Sequence, residues 1–354
     1  MKLFKDYLLG NITLKNRIVM APMTRSRADE NIPNDLMATY YGQRATAGLI
    51  ITEGTSPSPN GLGYPRIPGI FSEAQTAGWK KITDAVHEKG GKIFLQLMHT
   101  GRVSHPLNMD KDAKVLAPSA ITSSGEMYTD QKGMQPYPEP EAMTLEDIEQ
   151  ARQEYVVAAK NAIKAGFDGV ELHGANGYLM DQFFNPCTNQ RTDNYGGSVE
   201  NRNRFLVEVA QSVSDAIGKE KVGIRLSPYG AFNDMTVFDQ IDFAYESLAK
   251  ALGEVGLTYV HIVDHQAMGA PEVPESIKVK IQQAFGGDII RSGGFESAEQ
   301  AEKVLESGQG QLVAFGRPFI ANPDLVEKLQ NGEALKAPDF DTFYTPGAKG
   351  YTDY

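Results

Sequence analysis

The chain has 354 residues, of which 41% are hydrophobic and 22% are charged, and its formal net charge is -11 at pH 7. This length fits either two average domains or one large barrel, so the order of the predicted elements has to decide between them. Because the charge is negative and no block of five or more Lys or Arg residues occurs, a nucleic-acid-binding face is disfavoured.

The N-terminal residues and the cysteine content indicate where the protein resides. Residues 1–16 contain no apolar run of the signal-peptide type, and no stretch approaches the ~18 apolar residues that span a bilayer. The single cysteine, Cys187, cannot form an intrachain disulfide, which agrees with a reducing compartment. We therefore expect a cytoplasmic protein that binds no membrane, with Cys187 as an ordinary loop residue. As its assembly, both a monomer and a homodimer stay open.

Eight short apolar or β-branched runs recur along the chain, which is the pattern of strands in a parallel sheet covered on both faces. In chain order they are RIVMAP (17–22), GLIITEG (48–54), KIFLQLM (92–98), GVELHG (169–174), VGIRLSP (222–228), TYVHIVD (258–264), DIIRSGG (288–294) and LVAFGR (312–317). Helix-like segments lie between them at 73–89, 145–165, 201–217, 239–255 and 298–307. Eight strand-and-helix units without a ninth predict that residues 1–354 form one (β/α)8 TIM barrel of the α/β class.

Residues 104–141 interrupt this alternation, because they separate the third strand from its helix by far more than an ordinary loop. They are rich in Pro, Ser, Asp and Gly, so a rim or lid on the catalytic side and a disordered surface insertion both stay open. Residues 338–354 contain five aromatic side chains, and we expect this C-terminal segment to fold back onto the barrel. Trp79 recurs with Ile82 and Val86 at helical spacing and is interpreted as a packing residue.

The ends of strands seven and eight carry glycines and a cation. In (β/α)8 barrels the loops after these two strands commonly hold a phosphate, with backbone N–H groups and an added positive charge. Glycine lets the backbone approach phosphate oxygens, and an arginine can bridge two of them. The predicted phosphate clamp therefore consists of Gly293, Gly294, Gly316 and Arg317. The chain contains neither GxGxxG nor GxxxxGK[ST], so the phosphate site is of neither the Rossmann nor the Walker type.

The end of strand four carries three hydrogen-bonding side chains within the segment VELHGANGYLMDQFFNP (170–186). His173 and Asn176 are both donors at neutral pH, so together they can bind one carbonyl or nitro oxygen. Tyr178 supplies a phenol, a weak acid that can deliver a proton to a strongly basic carbon. This pattern predicts an oxygen-binding pair with a proton donor beside it.

Two other chemistries are disfavoured by the same strands. His261 and His265 are four residues apart, as in a helical zinc pair, but His261 lies in an apolar strand run. Residues four apart on a strand are separated by more than ~12 Å, which disfavours a metal site. The only lysine in the eight runs is Lys92, at the start of strand three, so a Schiff-base aldolase is disfavoured as well.

Several long motifs resemble the Old Yellow Enzyme family of flavin-dependent ene-reductases, in its bacterial branch, over nearly the whole chain. They are NRIVMAPMTRSRA (16–28), ITEGT (51–55), QLMHTGRVSH (96–105), DGVELHGANGYLMDQFFNP (168–186), NQRTDNYGGSVENRNRFLVEV (189–209), GIRLSP (223–228), FGRPFIANPDL (315–325) and GYTDY (350–354). The resemblance implies an FMN, with NADPH or NADH as its reductant and activated alkenes such as enones, maleimides and nitroalkenes as substrates.

The resemblance also implies roles for particular residues. The FMN phosphate would lie on the predicted clamp, and the isoalloxazine would contact Pro22, Met23, Thr24, Gly54, Gln96 and Arg225. The Thr24 hydroxyl can hydrogen-bond a flavin carbonyl, and Arg225 can offset negative charge on the reduced flavin. His173 and Asn176 would bind the alkene's activating oxygen, hydride would pass from flavin N5 to the β-carbon, and Tyr178 would protonate the α-carbon. Tyr351 would line the same pocket.

One departure from the family pattern concerns the pocket wall. Most relatives have tryptophan after the glutamine-leucine pair, whereas this chain has Met98, a smaller and more flexible side chain. We therefore expect a roomier pocket and altered facial selectivity. Glu171 shares the inward-facing alternation with His173, so a buried ion pair of Glu171 with Arg225 is a further hypothesis.

Two readings other than a flavoenzyme remain open at this point. A flavin-free barrel isomerase or lyase would use the same clamp for a phosphate-bearing substrate. A non-catalytic barrel that binds a ligand is disfavoured, because the eight strand ends are unusually polar.

Overall fold

The computed structural model describes residues 1–354, apart from the side chain of Met268. Its centre is a closed barrel of eight parallel strands that pair in chain order, with the last strand hydrogen-bonded to the first. The strands are β1 (Ile18–Met20), β2 (Leu49–Ile51), β3 (Ile93–Leu97), β4 (Gly169–Gly174), β5 (Val222–Leu226), β6 (Tyr259–Val263), β7 (Asp288–Ser292) and β8 (Leu312–Phe315). Each predicted run contains one of them, so the predicted (β/α)8 barrel is confirmed.

Helices surround the barrel and follow its strands. They are α1 (Asp35–Gln43), α2 (Glu73–His87), α3 (Leu145–Lys164), α4 (Leu179–Phe184), α5 (Val199–Ile217), α6 (Ile241–Val255), α7 (Glu275–Phe285), α8 (Ala298–Glu306), α9 (Arg317–Ala321) and α10 (Leu325–Asn331). The five helix-like segments of the sequence correspond to α2, α3, α5, α6 and α8. Among the described residues, none of the helices combines the length and the apolar content needed to cross a bilayer.

Local sequence explains where α2 begins and which face it buries. Ser72 and Gln75 form a reciprocal capping box, which satisfies N–H groups that a helix start leaves without partners. Trp79, Ile82 and Val86 are fully buried on the inner face. The indole of Trp79 donates to the carbonyl oxygen of Gly69 at 3.0 Å. Trp79 is therefore a packing residue, as its spacing predicted.

Side chains along each barrel strand alternate between the barrel interior and the helix layer. One set forms a separate interior cluster: Leu9, Leu14, Val19, Ala21, Leu49, Ile51, Phe94, Tyr259, Ile290, Leu312 and Ala314. Its members Leu9 and Leu14 come from the antiparallel hairpin Tyr7–Leu9 and Ile12–Leu14, so this hairpin closes the amino-terminal end of the barrel. Interior positions nearer the carboxyl ends of the strands are polar, which places the polar groups at the opposite, open end.

Residues 104–141 contain regular structure. Glu126–Thr129 and Gly133–Pro136 form an antiparallel hairpin, and Leu116–Ala117 pairs with Glu141–Ala142. The amide of Asn108 donates to the carbonyl oxygens of Gly63 and Tyr128, each at 2.9 Å. These hydrogen bonds attach the hairpin to the loop that follows β2, so the structure does not support the alternative of a disordered insertion.

The C-terminal segment folds back onto the barrel, as its aromatic content predicted. The Arg25 guanidinium donates to the carbonyl oxygens of Phe343 and Gly350, at 3.1 and 2.7 Å. The ring of Tyr351 is fully buried and stacks on Tyr40, with ring centroids 4.0 Å apart and planes 8° apart. One arginine and one aromatic pair thus hold the end of the chain against the loop after β1.

Removal of the Tyr351 ring should destabilise the fold. Tyr351→Ala deletes a fully buried aromatic ring, and we expect a loss of about 3–5 kcal/mol in the free energy of unfolding. Urea titration followed by circular dichroism measures this loss. Tyr351→Phe is the matched control, because the buried hydroxyl has no hydrogen-bond partner among the described residues and its removal should cost little. Equal losses for the two variants would contradict the stacking account.

Candidate active site

A cavity of about 500 Å³ opens at the carboxyl ends of the barrel strands. All but two of the predicted site residues line it: Pro22, Met23, Thr24, Gly54, Gln96, Met98, His173, Asn176, Tyr178, Arg225, Gly294, Gly316 and Arg317. Its size is typical of a pocket for a small molecule or cofactor. The structure thus brings together residues that are spread along the chain from Pro22 to Arg317.

Gly293 and Tyr351 are the two predicted residues outside the cavity lining. Gly293 lies between two lining residues, Ser292 and Gly294, and a Cβ at Gly293 would meet the Cβ of Asp264 at 3.1 Å. The placement of Tyr351 in the substrate pocket was wrong, because its ring is packed beneath the C-terminal segment.

Other aromatic residues of the C-terminal segment occupy the place expected for Tyr351. Phe340, Phe343 and Tyr344 line the cavity. The anchoring of the chain end by Arg25 turns these earlier residues towards the mouth, so the prediction identified the right segment and the wrong side chain.

Glu171 lies at the floor of the site, inside the barrel and fully buried. It accepts hydrogen bonds from Gln96 Nε2 at 2.8 Å, Tyr259 Oη at 3.1 Å and His261 Nδ1 at 2.9 Å. A buried carboxylate needs such partners, because burial without them costs several kcal/mol. The hypothesis placed Glu171 correctly inside the barrel, but Glu171 forms no ion pair with Arg225. It is hydrogen-bonded to His261 instead, and burial lowers the pKa of His261 below its usual 6.5, so this partner is a neutral imidazole.

A glycine makes the Glu171 network possible. A Cβ at Gly223 would collide with the ring of Tyr259. Only glycine therefore leaves room for this ring to cross the interior and reach Glu171. The network also orients Gln96, because its amide nitrogen is held by Glu171 and its amide oxygen remains able to accept a hydrogen bond from a ligand.

Arg225 has a guanidinium that the protein does not pair. It is 6% exposed and lines the cavity, and no hydrogen bond from its side chain is found among the described residues. Burial lowers the pKa of Arg225 from its ordinary value of 12.5. Since a buried cation without acceptors is costly, the site is built for a ligand that supplies hydrogen-bond acceptors at this point.

His173 is paired in register with Arg225 across β4 and β5 and is also buried. Burial, together with the nearby Arg225 charge, holds the pKa of His173 well below its usual 6.5, so the ring is neutral. Its Nδ1 atom is buried with no partner among the described residues. A neutral imidazole carries one N–H, so His173 can offer one donor to a ligand oxygen.

Tyr178 stands beside His173, with ring centroids 4.9 Å apart in an edge-to-face arrangement. Burial raises the pKa of Tyr178 to about 12, so its phenol is protonated at neutral pH. The hydroxyl lies 3.1 Å from that of Tyr64. Sequence reasoning missed Tyr64, because it lies in a loop after β2 with no motif that marks it.

At the other end of the cavity, glycine residues leave space beside the backbone for a ligand. Gly294 has a left-handed φ of +70°, and a Cβ at Gly316 would meet no atom closer than 3.8 Å. Gly316 caps α9 and Arg317 is its first residue, so the amino-terminal end of this helix faces the cavity together with a cation. The guanidinium carbon of Arg317 lies 5.2 Å from the centroid of the Phe340 ring.

These residues fit an FMN. The Gly294, Gly316 and Arg317 end offers space and positive charge for a phosphate, while Arg225 and Gln96 offer donors and an acceptor for the polar edge of a flavin ring. The unpaired Arg225 guanidinium is the observation that decides the fit, because a bound ring carbonyl would satisfy it. No group of three or more His, Cys, Asp or Glu residues close enough to hold a metal ion occurs among the residues described.

A second, outer cavity of about 730 Å³ adjoins the first and shares Thr24, Tyr178, Phe340 and Tyr344 with it. Its wall includes the hairpin from Glu126 to Pro136 and residues 340–346. Arg66 ties these segments together. It forms an ion pair with Asp130 of the hairpin, and it donates to the carbonyl oxygens of Ser26 and Tyr344 at 3.0 and 2.9 Å.

The barrel, the cation-and-glycine end and the polar floor together define a flavin-binding oxidoreductase of the (β/α)8 class. Residues 2–336 match the NADH:flavin oxidoreductase / NADH oxidase family. The chain belongs to this family and is a member of the Old Yellow Enzyme group, as its motifs predicted.

Relatives and solved structures agree with this assignment. The chain is 42% identical over 358 residues to a probable flavin mononucleotide-dependent alkene reductase of Leishmania infantum, covering 99% of this chain and 96% of that protein. It is 40% identical to 12-oxophytodienoate reductase 1 of Oryza sativa subsp. japonica, at 99% and 92% coverage. The structure of morphinone reductase superimposes with a TM-score of 0.95 at 44% identity, covering 99% of this chain and 95% of that one. The Old Yellow Enzyme homologue of Zymomonas mobilis gives a TM-score of 0.94 at 40% identity, with 100% and 99% coverage.

Met98 should set which face of a bulky substrate is reduced. The side chain lines the cavity and packs with Leu62 and Ile67, and a Cβ at Gly54 would collide with its sulfur. Met98→Trp should narrow the cavity and change the enantiomer ratio for bulky 2-substituted enones, as measured by chiral chromatography. Met98→Leu, which nearly conserves volume, should leave the ratio close to that of the parent. An unchanged ratio for Met98→Trp over several such enones would refute this role.

Proposed function

We propose that the protein is an FMN-dependent NAD(P)H oxidoreductase that reduces activated C=C bonds of enones, maleimides and nitroalkenes. The observation that carries the proposal is the buried, unpaired Arg225 beside neutral His173, in a cavity whose far end presents glycines and Arg317. Membership of the family and the printed activities of the relatives support it.

When bound, FMN supplies hydride chemistry, since it takes up a hydride from NADPH or NADH and passes one to the alkene β-carbon. Gly293, Gly294, Gly316 and Arg317 would hold its phosphate. Pro22, Met23, Thr24, Gly54, Gln96 and Arg225 would hold its ring. The proposal includes both NADPH and NADH as reductants.

His173 and Asn176 bind the activating oxygen of the substrate in this proposal. The neutral imidazole and the amide can each offer an N–H to a carbonyl or nitro oxygen. Two donors on one oxygen draw electron density away from the C=C bond, and both side chains line the cavity where the oxygen would bind. The β-carbon becomes the electrophilic position.

Tyr178 delivers the proton to the α-carbon in this proposal. Because burial raises the pKa of Tyr178 to about 12, its hydroxyl gives up a proton only to a strongly basic acceptor, such as a carbon that has gained electron density. The hydroxyl of Tyr64, 3.1 Å away, holds the phenol in place. Tyr178 lines both cavities, so its proton can be replaced through the outer one.

The outer cavity is the proposed route for substrate and nicotinamide. We propose that residues 1–354 act as one FMN-binding barrel domain, with residues 104–141 as its rim. We also propose a cytoplasmic location, supported by the single cysteine, and a monomer or homodimer as the working assembly.

Visible absorbance tests the flavin itself. The purified protein should show oxidised flavin bands that disappear on anaerobic addition of NADPH or NADH and return on addition of cyclohexenone. A flavin-free barrel isomerase or lyase would show no such bands, and a flavin-binding protein without catalysis would not recover them with the enone.

Tyr178→Phe tests the proton donor. The variant should still be reduced by NADPH or NADH, whereas its turnover of cyclohexenone should fall by about 100-fold or more, the range for loss of a general acid. A strongly activated nitroalkene should be affected much less. Rapid-mixing absorbance separates the two half-reactions. Equal slowing of both half-reactions would count against a proton-donor role.

The pH profile gives a second readout for the parent enzyme. The phenol is protonated below its folded-state pKa of about 12, so donation by Tyr178 should be independent of pH from about pH 6 to about pH 10. Measurements of kcat for cyclohexenone at saturating reductant check this range. A Tyr178-dependent loss centred near pH 8 would show that the phenol ionises early and would contradict the assignment.

A further inference from the structure

Asn176 has a main chain that is held on both sides. It follows β4 and adopts a left-handed φ of +60°, which asparagine tolerates better than most residues. Its N–H donates to Ser227 Oγ at 2.8 Å, and its carbonyl oxygen accepts from Asn233 Nδ2 at 2.8 Å. With the main chain fixed, the direction of the amide depends on what the side chain itself contacts.

His265 provides that contact. Its Nε2 atom lies 2.9 Å from Asn176 Oδ1, on the loop that follows β6. An amide oxygen only accepts hydrogen bonds, so this geometry requires the proton of the neutral imidazole to be on Nε2. Asn176 Nδ2 has no hydrogen-bond partner among the described residues, and Asn176 lines the cavity.

The opposite amide orientation would weaken binding of the substrate oxygen. If Asn176 Nδ2 faced His265, the amide oxygen of Asn176 would face the cavity. That oxygen can only accept hydrogen bonds, and so can the oxygen of the substrate. A substrate carbonyl or nitro oxygen would then meet repulsion instead of a donor. Whether the site offers the substrate oxygen two N–H donors, from His173 and Asn176, or only the one from His173 therefore depends on His265.

We propose that His265 is a positioning residue that orients the Asn176 amide with its N–H groups towards the substrate oxygen. The inference rests on the proposed function, in which Asn176 and His173 bind that oxygen. His265 itself need not touch the reacting atoms, because it acts through Asn176.

The surroundings of His265 favour this role. Its ring packs on Phe232, with centroids 4.6 Å apart, and Phe232 precedes the Asn233 that holds the Asn176 carbonyl. Burial lowers the pKa of His265 to about 4, assisted by the charges of Arg225 and Arg317 and opposed by Asp264. The ring is therefore neutral at pH 7, and a second proton at lower pH would leave the Nε2–H in place.

Two variants of His265 test the proposal, and one of them is repeated in an Asn176→Ala protein. His265→Leu removes the donor, whereas His265→Gln keeps a side-chain N–H and is the matched control. We expect His265→Leu to lower kcat/KM for cyclohexenone and the affinity for the non-reducible analogue cyclohexanone by about tenfold each, the effect of one hydrogen bond. His265→Gln should stay within about threefold of the parent. Flavin absorbance follows both binding and turnover.

The same change in Asn176→Ala separates positioning from general damage. If His265 acts through the amide, His265→Leu should have no further effect on cyclohexanone binding once the amide is gone. A full tenfold effect in that background, or none in the parent background, would overturn the proposal.

Histidine ¹⁵N NMR provides a readout that needs no enone reduction. In the parent protein, His265 should be neutral with its proton on Nε2, with its signal assigned from the His265→Gln spectrum. A proton on Nδ1 would overturn the proposal. An Nε2 proton together with coupled cyclohexanone binding, but without enone turnover, would leave the positioning role intact and refute the proposed function instead.

Discussion

The buried carboxylate of Glu171 is the constraint on which the active-site floor depends. Its oxygens are satisfied by donors from β3 and β6, which joins strands on either side of β4, the strand that carries Glu171. Gln96, Tyr259 and His261 cannot turn independently without leaving a charge unpaired in the interior. The orientation of Gln96 towards the cavity is thus a consequence of its hydrogen bond to Glu171. The same packing leaves Arg225 with no partner of its own, which reserves it for a ligand.

A second constraint acts at the mouth of the barrel. Arg25 and Arg27 donate to main-chain carbonyl oxygens of the C-terminal segment, including those of Phe343 and Gly350. Carbonyl oxygens near the end of a chain are readily left unsatisfied, and two buried guanidinium groups satisfy several of them. The end of the chain is therefore part of the site wall, although it lies more than three hundred residues from the loop that holds it.

The barrel could be predicted because its strands are buried on both faces, which makes each strand a recognisable apolar run. The polar end of strand four marked His173, the family motifs assigned Gln96 and Arg225, and strand parity placed Glu171 inside the barrel. Parity cannot decide which aromatic residue of a returning segment reaches the cavity, so Tyr351 was chosen where Tyr344 lies. The contacts of Tyr64 with Tyr178 and of Glu171 with His261 join loops and strands that are far apart in the chain. No local sequence pattern predicts such contacts.

The ion pair and carbonyl contacts of Arg66 join three separate stretches of chain around the outer cavity. None of the residues that Arg66 contacts belongs to the Glu171 floor, whereas the C-terminal stretch also lines the inner cavity, where Phe340 lies against Arg317. The site thus has a chemical centre inside the barrel and an outer cavity above it, and the C-terminal segment lines both. A change in the length or composition of the hairpin from Glu126 to Pro136 would therefore reshape the outer cavity without touching the Glu171 network.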